Sequence, residues 1–240
     1  MYMVTEVETG KNSYEDIYNG MHKMEAVSSE KYLGDILSSD GKNFKNISAR
    51  KNKGIGIVTK IMEKLNEVCF GKYFFKVGII LRNSNLISSL LTNAEAWYNV
   101  TQADIDLLES ADESLIRRIL ECPLSTPKEM LYLELVILPI RYIIQMRRLN
   151  FLQYILYEEE DSLVHSFLKT QLDNPTAGDW GNSCLESMEA LNMELDISDI
   201  KIMKKTTFNN LVKKKTCIKA LEDLNKQKAK HSKVLHIVHN

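Results

Sequence analysis

Apolar residues along this chain recur at two different periods, and the change between them divides it. Residues 1–20 show no clear period and read as a mobile or edge segment, the stub of something larger. Met21–Val27 and Lys31–Leu37 flank Ser28-Ser29-Glu30, and the second run alternates weakly, so a short hairpin is expected over 21–37, with a turn after it at Ser39-Asp40-Gly41. From Asn43 the period turns helical. Phe44, Ile47, Lys51, Ile55, Val58, Ile61/Met62, Leu65 and Val68/Cys69 recur at three and four, which predicts one long amphipathic helix ending near Gly71. Gly54 and Gly56 lie inside it, and each weakens a helix by roughly 1 kcal/mol relative to Ala, so they predict a kink or the close approach of another backbone.

An apolar helix over 73–91 follows, with an interruption expected at Arg82-Asn83-Ser84-Asn85. Thr101 to Asp104 has capping-box spacing ahead of a helix that Cys122-Pro123 should stop. Thr126-Pro127-Lys128-Glu129 predicts a second box, with Thr126 as the cap. Pro139 opens another apolar helix, and further helices are expected at 162–172, 181–194 and 198–228. No strand is convincing after residue 42. The fold class is therefore mainly α, a multi-helix array with one short β-hairpin near the N-terminus. Three regions follow: 1–41 with the hairpin, a helical region 42–121 and a second helical region 122–240.

Charge changes this picture more than composition does. The chain has 240 residues and a net charge of -1. That balance hides blocks: residues 1–30 carry -4, 31–82 carry +7, 83–200 carry -13 and 201–240 carry +9. Lys42, Lys45, Arg50, Lys51, Lys53, Lys60 and Lys64 sit on or just before the long helix, interleaved with Asn, Ser and Gly. Such a block suits phosphates, while its bland alternative is a solubilising surface. Lys201, Lys204, Lys205, Lys213, Lys214, Lys215 and Lys219 form a second stripe.

Candidate chemistry is sparse. The cysteines at 69, 122, 184 and 217 form no CxxC pair, which argues against zinc or redox motifs and for reduced thiols in an intracellular protein, cytoplasmic or nuclear. No phosphate-binding loop, nucleophile elbow, HExxH or Asp-Asp doublet occurs. Glu158-Glu159-Glu160-Asp161 cannot converge on one ion, because successive helix positions point about 100° apart. His231, His236 and His239 lie at the chain end without a neighbouring Cys or acid. Neither a catalytic set, a metal nor a cofactor is implied. No apolar run is long enough for a transmembrane helix, and Glu6, Glu8, Glu15 and Asp16 are wrong for a secretory signal, so no membrane partner is expected.

Lys31-Tyr32-Leu33-Gly34 followed by Asp40-Gly41 resembles the YLG…G segment after the palm motifs of non-LTR (LINE-type) retrotransposon reverse transcriptases. Asn52-Lys53-Gly54-Ile55-Gly56, Asn93-Ala94-Glu95-Ala96-Trp97-Tyr98, Thr126-Pro127-Lys128-Glu129, Pro139-Ile140-Arg141, Asp179-Trp180 and Lys230-His231-Ser232-Lys233 are similar, in order, to the downstream region of that family. The resemblance implies a primer-grip hairpin, a helical thumb and a post-thumb helical region, without the palm and its metal-binding aspartates. It implies that Tyr32, Leu33 and Gly34 hold the primer end. The helix bearing Lys42, Lys45, Arg50, Lys51, Lys53, Lys60 and Lys64 would then track an RNA–DNA hybrid or other duplex, with a separate palm domain as a further partner. The reading from another class is a helical protein–protein interaction module. The two separate on whether the basic residues share one exposed face or are covered by acidic helices.

Overall fold

The computed structural model of the protein describes residues 18, 19, 21–23, 27–68, 71 and 73–238. The rest of residues 1–20, Cys69, and the side chains of Val68 and of His231 onward lie outside that description. Two small antiparallel ladders come first: β1 (Tyr18–Asn19) with β2 (His22–Lys23), then β3 (Ser29–Tyr32) with β4 (Asp35–Ser38). The remaining elements are helical: α1 (Phe44–Val68), α2 (Tyr73–Leu81), a π-helical segment Arg82–Ile87, α3 (Ser88–Leu90), a 3-10 turn Ala94–Ala96, α4 (Gln102–Leu120), α5 (Lys128–Leu135), α6 (Ile140–Tyr157), α7 (Leu163–Asp173), α8 (Trp180–Ala190), α9 (Ile197–Ile202) and α10 (Lys205–Val238). The protein is mainly α with a hairpin over residues 29–38.

The hairpin turns at a different place from the one the pattern predicts. Ser29 pairs with Ser38 and Tyr32 with Asp35, so Leu33-Gly34 is the two-residue turn and Ser29-Glu30 belong to a strand. The cause is backbone sign. A two-residue hairpin turn of type I′ needs positive φ at both central residues. Gly34 takes φ +93 without a Cβ penalty and Leu33 follows at +47, whereas Ser28-Ser29-Glu30 contains no glycine.

Gly54 marks a close approach. A Cβ there would lie 2.7 Å from Leu90 Cδ2 and 3.5 Å from Ala111 Cβ, so α1 meets α3 and α4 at its bare backbone. The interruption over 82–85 is the π-helical segment: the chain stays coiled through α3, and Arg82 at the start of the segment is buried.

Thr101 caps α4, accepting from the Asp104 N–H while Asp104 returns a bond to the Thr101 N–H, as the spacing predicts. Thr126 does not cap. Pro127 keeps an extended ψ of 137° and is itself the N-cap of α5, with no side-chain bond, which leaves Thr126 one residue outside the helix. The helix expected over 198–228 is two helices. Met203 is extended, and its carbonyl accepts from Gln153 Nε2 at 2.9 Å and the Tyr157 hydroxyl at 2.5 Å, both from α6. Captured carbonyls cannot accept from the next turn, so the helix stops and restarts at Lys205.

Two cores share one wall. Ile47, Leu65, Leu86, Leu90, Leu108 and Leu115 build the first from α1, α3, α4 and the π-helical segment. Leu149, Leu152, Leu168, Cys184, Ile200 and Phe208 build the second from α6 to α10. Helix α6 serves both, giving Ile140 and Ile144 to the first and Leu149 and Leu152 to the second. A smaller cluster, with Ile116, Leu131, Tyr132 and Leu224, ties α5 and α10 to α4. Among the described residues no helix is long and apolar enough to cross a membrane.

Candidate nucleic-acid interface

The basic block separates into two environments when the helix forms. At 3.6 residues per turn, Lys60, Lys53 and Lys64 lie about 60°, 80° and 100° around α1 from Lys45. All four are exposed. Gly56, about 20° from Lys45, sits among them and is exposed, and a Cβ there would meet nothing within 4 Å. Ala49 and Asn52 are exposed on the same side. The result is a low, smooth strip rimmed by lysines and roughly 28 Å long at 1.5 Å rise per residue. Among the described residues no carboxylate forms an ion pair with Lys45, Lys53, Lys60 or Lys64. Glu63 and Glu67 share the far end of the strip, so its positive field is greatest over the first four turns.

Lys42, just before α1, is exposed, and its N–H donates to Asp40 Oδ1 at 3.1 Å. Lys51 stands on the flank and is half-buried. The acidic middle does not cover the lysine strip. Gly54, about 180° from Lys45, faces Leu90 and Ala111, so α4 packs against the back of α1.

Arg50 does not belong to this face. It is 7% exposed, and its guanidinium is committed inside the protein. It reaches Asp35 Oδ1 at 2.5 Å, the Ser89 carbonyl at 3.1 Å and Asn46 Oδ1 at 3.2 Å, and it lies 5.2 Å from the centre of the Trp97 ring. An arginine whose donors are taken by a carboxylate, an amide oxygen and a carbonyl inside the protein cannot also hold a phosphate. Charge counting along the sequence could not distinguish it from its lysine neighbours.

Asp35 is the hub of this network. It accepts from Asn46 and Asn93 at 2.8 Å each, and from Trp97 Nε1 at 3.3 Å. Burial pushes its carboxyl up, but hydrogen bonds from Asn93, Arg50 and Asn46 outweigh that and hold it below the usual carboxylate range. These contacts fasten the hairpin to α1 and to the 93–97 turn. Asn46 and Arg50 lie about 100° and 140° from Lys45, so the hairpin runs along one edge of the lysine strip. Its tip carries Tyr32 at 63% and Leu33 at 79% exposure, with Gly34 also exposed. The sequence places Asp35 in the hairpin run and Asn46 among the polar residues between the lysines, but its spacing gives neither a role. Asn93 and Trp97 stood within a segment quoted for the resemblance, but nothing in the spacing linked them to the hairpin.

The second basic stripe is partly spent on the fold. Lys215 donates to the Asn192 carbonyl at 2.8 Å, Lys201 pairs with Glu160 at 2.6 Å, and Lys219 pairs with Asp223 at 3.4 Å. Lys204, Lys205, Lys213 and Lys214 are exposed.

The most buried charges are structural. Arg82 grips Asp112 through two bonds of 2.6 Å and donates to the Leu138 carbonyl at 3.0 Å, while the Tyr132 hydroxyl donates to Asp112 at 3.4 Å. Burial, then the Asp112 charge, pushes the Tyr132 hydroxyl well up, which keeps it a donor. Glu109 beside them accepts from Arg141 at 3.1 Å through each oxygen. Among the described residues no three His, Cys, Asp or Glu side chains could hold a metal ion together.

No protein-family model matches the chain, and no curated protein and no solved structure matches it.

Proposed function

We propose that this chain is the thumb-like, non-catalytic part of a retrotransposon reverse transcriptase, binding a template–primer duplex along α1. The observation that carries this reading is the lysine strip: Lys45, Lys53, Lys60 and Lys64 exposed around the bare backbone of Gly56, with no ion-pairing carboxylate among the described residues. Lysines at that spacing neutralise phosphates and release counterions, and few planar groups are present to read base edges. Binding is therefore weak and tolerant of sequence, and chemistry on the duplex is left to a palm. Tyr32, Leu33 and Gly34, at the edge of the strip, touch the end of the duplex in this reading. It works inside the cell, where such a duplex is made.

Fluorescence anisotropy of a labelled RNA–DNA hybrid tests the reading. With about four phosphates neutralised, log K falls against log salt with a slope of about -3 to -4. The triple change Lys45→Glu, Lys53→Glu, Lys60→Glu abolishes binding, while the same change at Lys226, Lys228 and Lys230 matters less. Absence of binding at low salt by a folded chain would sink the proposal.

A further inference from the structure

Helices α6, α7 and α8, with Ala96 and Tyr98, line an open cleft of about 440 Å3, walled almost entirely by apolar atoms. Its walls include Tyr98, Phe151, Val164, Phe167, Asp179 and Trp180. Two contacts fix its shape. Trp180 donates through Nε1 to the Glu95 carbonyl at 2.7 Å, and its ring meets Phe151 edge-on at 5.6 Å. The lip is bare: Tyr98 is 45%, Val164 52% and Phe167 63% exposed, and Leu163 beside them is 85% exposed. Aromatic and aliphatic side chains left in water around a preformed cleft mark a surface that a larger partner covers, because a small ligand inside the cleft would leave the lip wet.

Charge identifies the partner's chemistry. Asp179 is the acid in the wall, and among the described residues its carboxylate accepts only from the neutral Thr176 hydroxyl, at 2.6 Å. Tyr154, stacked 5.9 Å from Phe151, stands one helical turn before Glu158. Glu158 opens the acidic run that leads into α7, in which Glu159 and Asp161 have no ion pair among the described residues. The one lysine on α7, Lys169, lies about 140° around the helix from Val164, outside the cleft face of Val164, Phe167, Leu168 and Gln171. Asp179, the one charged group in the lining, therefore favours a cation over a phosphate there.

We propose that this cleft is a docking site for a segment of a partner protein that presents a large apolar side chain flanked by lysine or arginine. The apolar group fills the space over Trp180 and Phe151, and the basic neighbours meet Asp179 and the acidic run. The site shares no residue with the lysine strip and does not rest on the nucleic-acid reading.

The test uses the full chain and two synthetic helical peptides of the same leucine pattern, one with lysine and one with glutamate at the polar positions. Fluorescence anisotropy should show binding of the Leu/Lys peptide, with at least tenfold weaker binding of the Leu/Glu peptide. Phe167→Ser and Val164→Ser, each checked for folding by circular dichroism, should each weaken the Leu/Lys peptide about tenfold. Ile202→Ser, an exposed apolar change outside the cleft, should leave it unchanged. A labelled RNA–DNA hybrid should not compete. Equal binding of both peptides, failure of both to bind, full binding by the folded cleft variants, or displacement by the hybrid would each overturn the proposal.

Discussion

The Asp35 carboxylate accepts a hydrogen bond from the Asn93 amide at 2.8 Å across 58 residues of chain. It joins the hairpin to the turn that carries Trp97, and the same carboxylate holds Arg50 and Asn46 on α1. One acid thereby sets where the hairpin stands beside the lysine strip.

Acid should loosen this junction. Because the folded Asp35 has a lowered pKa, its contribution is fully present above the unfolded carboxylate value of about 3.9. It is lost as pH falls through the lower folded value. Asp35→Asn should cost about 2 kcal/mol at pH 7, since it removes a charged acceptor from a buried arginine. Urea midpoints measured from pH 7 to 3 should show a constant gap down to about pH 5 that narrows below about pH 4. A gap that widens in acid would contradict the assignment.

Arg82 and Asp112 are each almost fully enclosed, at 2% and 0% exposure. Removing one partner leaves the other charge uncompensated, so Asp112→Ala should cost about 3–5 kcal/mol. The double change Arg82→Met with Asp112→Leu should recover most of that loss, because a buried pair gains little over apolar packing. Equilibrium unfolding of Arg82→Met, Asp112→Leu and the double variant gives the coupling directly.

The two threonines ahead of α4 and α5 should behave differently. Thr101→Ala should destabilise by about 1 kcal/mol, because the Asp104 N–H loses its acceptor. Thr126→Ala should change stability by less than about 0.5 kcal/mol, as for surface positions that make no cap. Urea midpoints at unchanged slope would show the difference.

Val136 ends α5 with φ +53 and a side chain 89% exposed. A β-branched residue in the left-handed region carries strain of roughly 1–2 kcal/mol that glycine does not. Val136→Gly should therefore raise the unfolding midpoint, and a lowered midpoint would show that its exposed methyls matter more than its backbone.

Helical periodicity made α1, α4 and α6 readable before any coordinates, because each buries one face along many turns. The cap at Thr101 was legible for the same reason: its partners are three residues apart. The turn at Leu33-Gly34, the end of α9 at Met203 and the inward turn of Arg50 were not. Each is decided by a partner far along the chain or by the sign of a backbone angle. Gln153 and Tyr157 stop α9 from 46 or more residues away. The lysine strip was visible as charge, and its shape needed only the helix. The aromatic cleft is not legible in the sequence, because Tyr98, Phe151, Phe167 and Trp180 are scattered along it and come together only when α6, α7, α8 and the segment before α4 pack.

Helix α6 lends Ile140 and Ile144 to one core and Leu149 and Leu152 to the other. Neither core can open fully without stripping a face of the same helix. Amide protons in the middle of α6 should thus be the last to exchange with solvent, released by global unfolding alone. A chain cut between α4 and α5 would leave the first core without that wall. Its isolated N-terminal piece would expose the apolar sides of α1 and α4 and associate with itself rather than stand as a stable module.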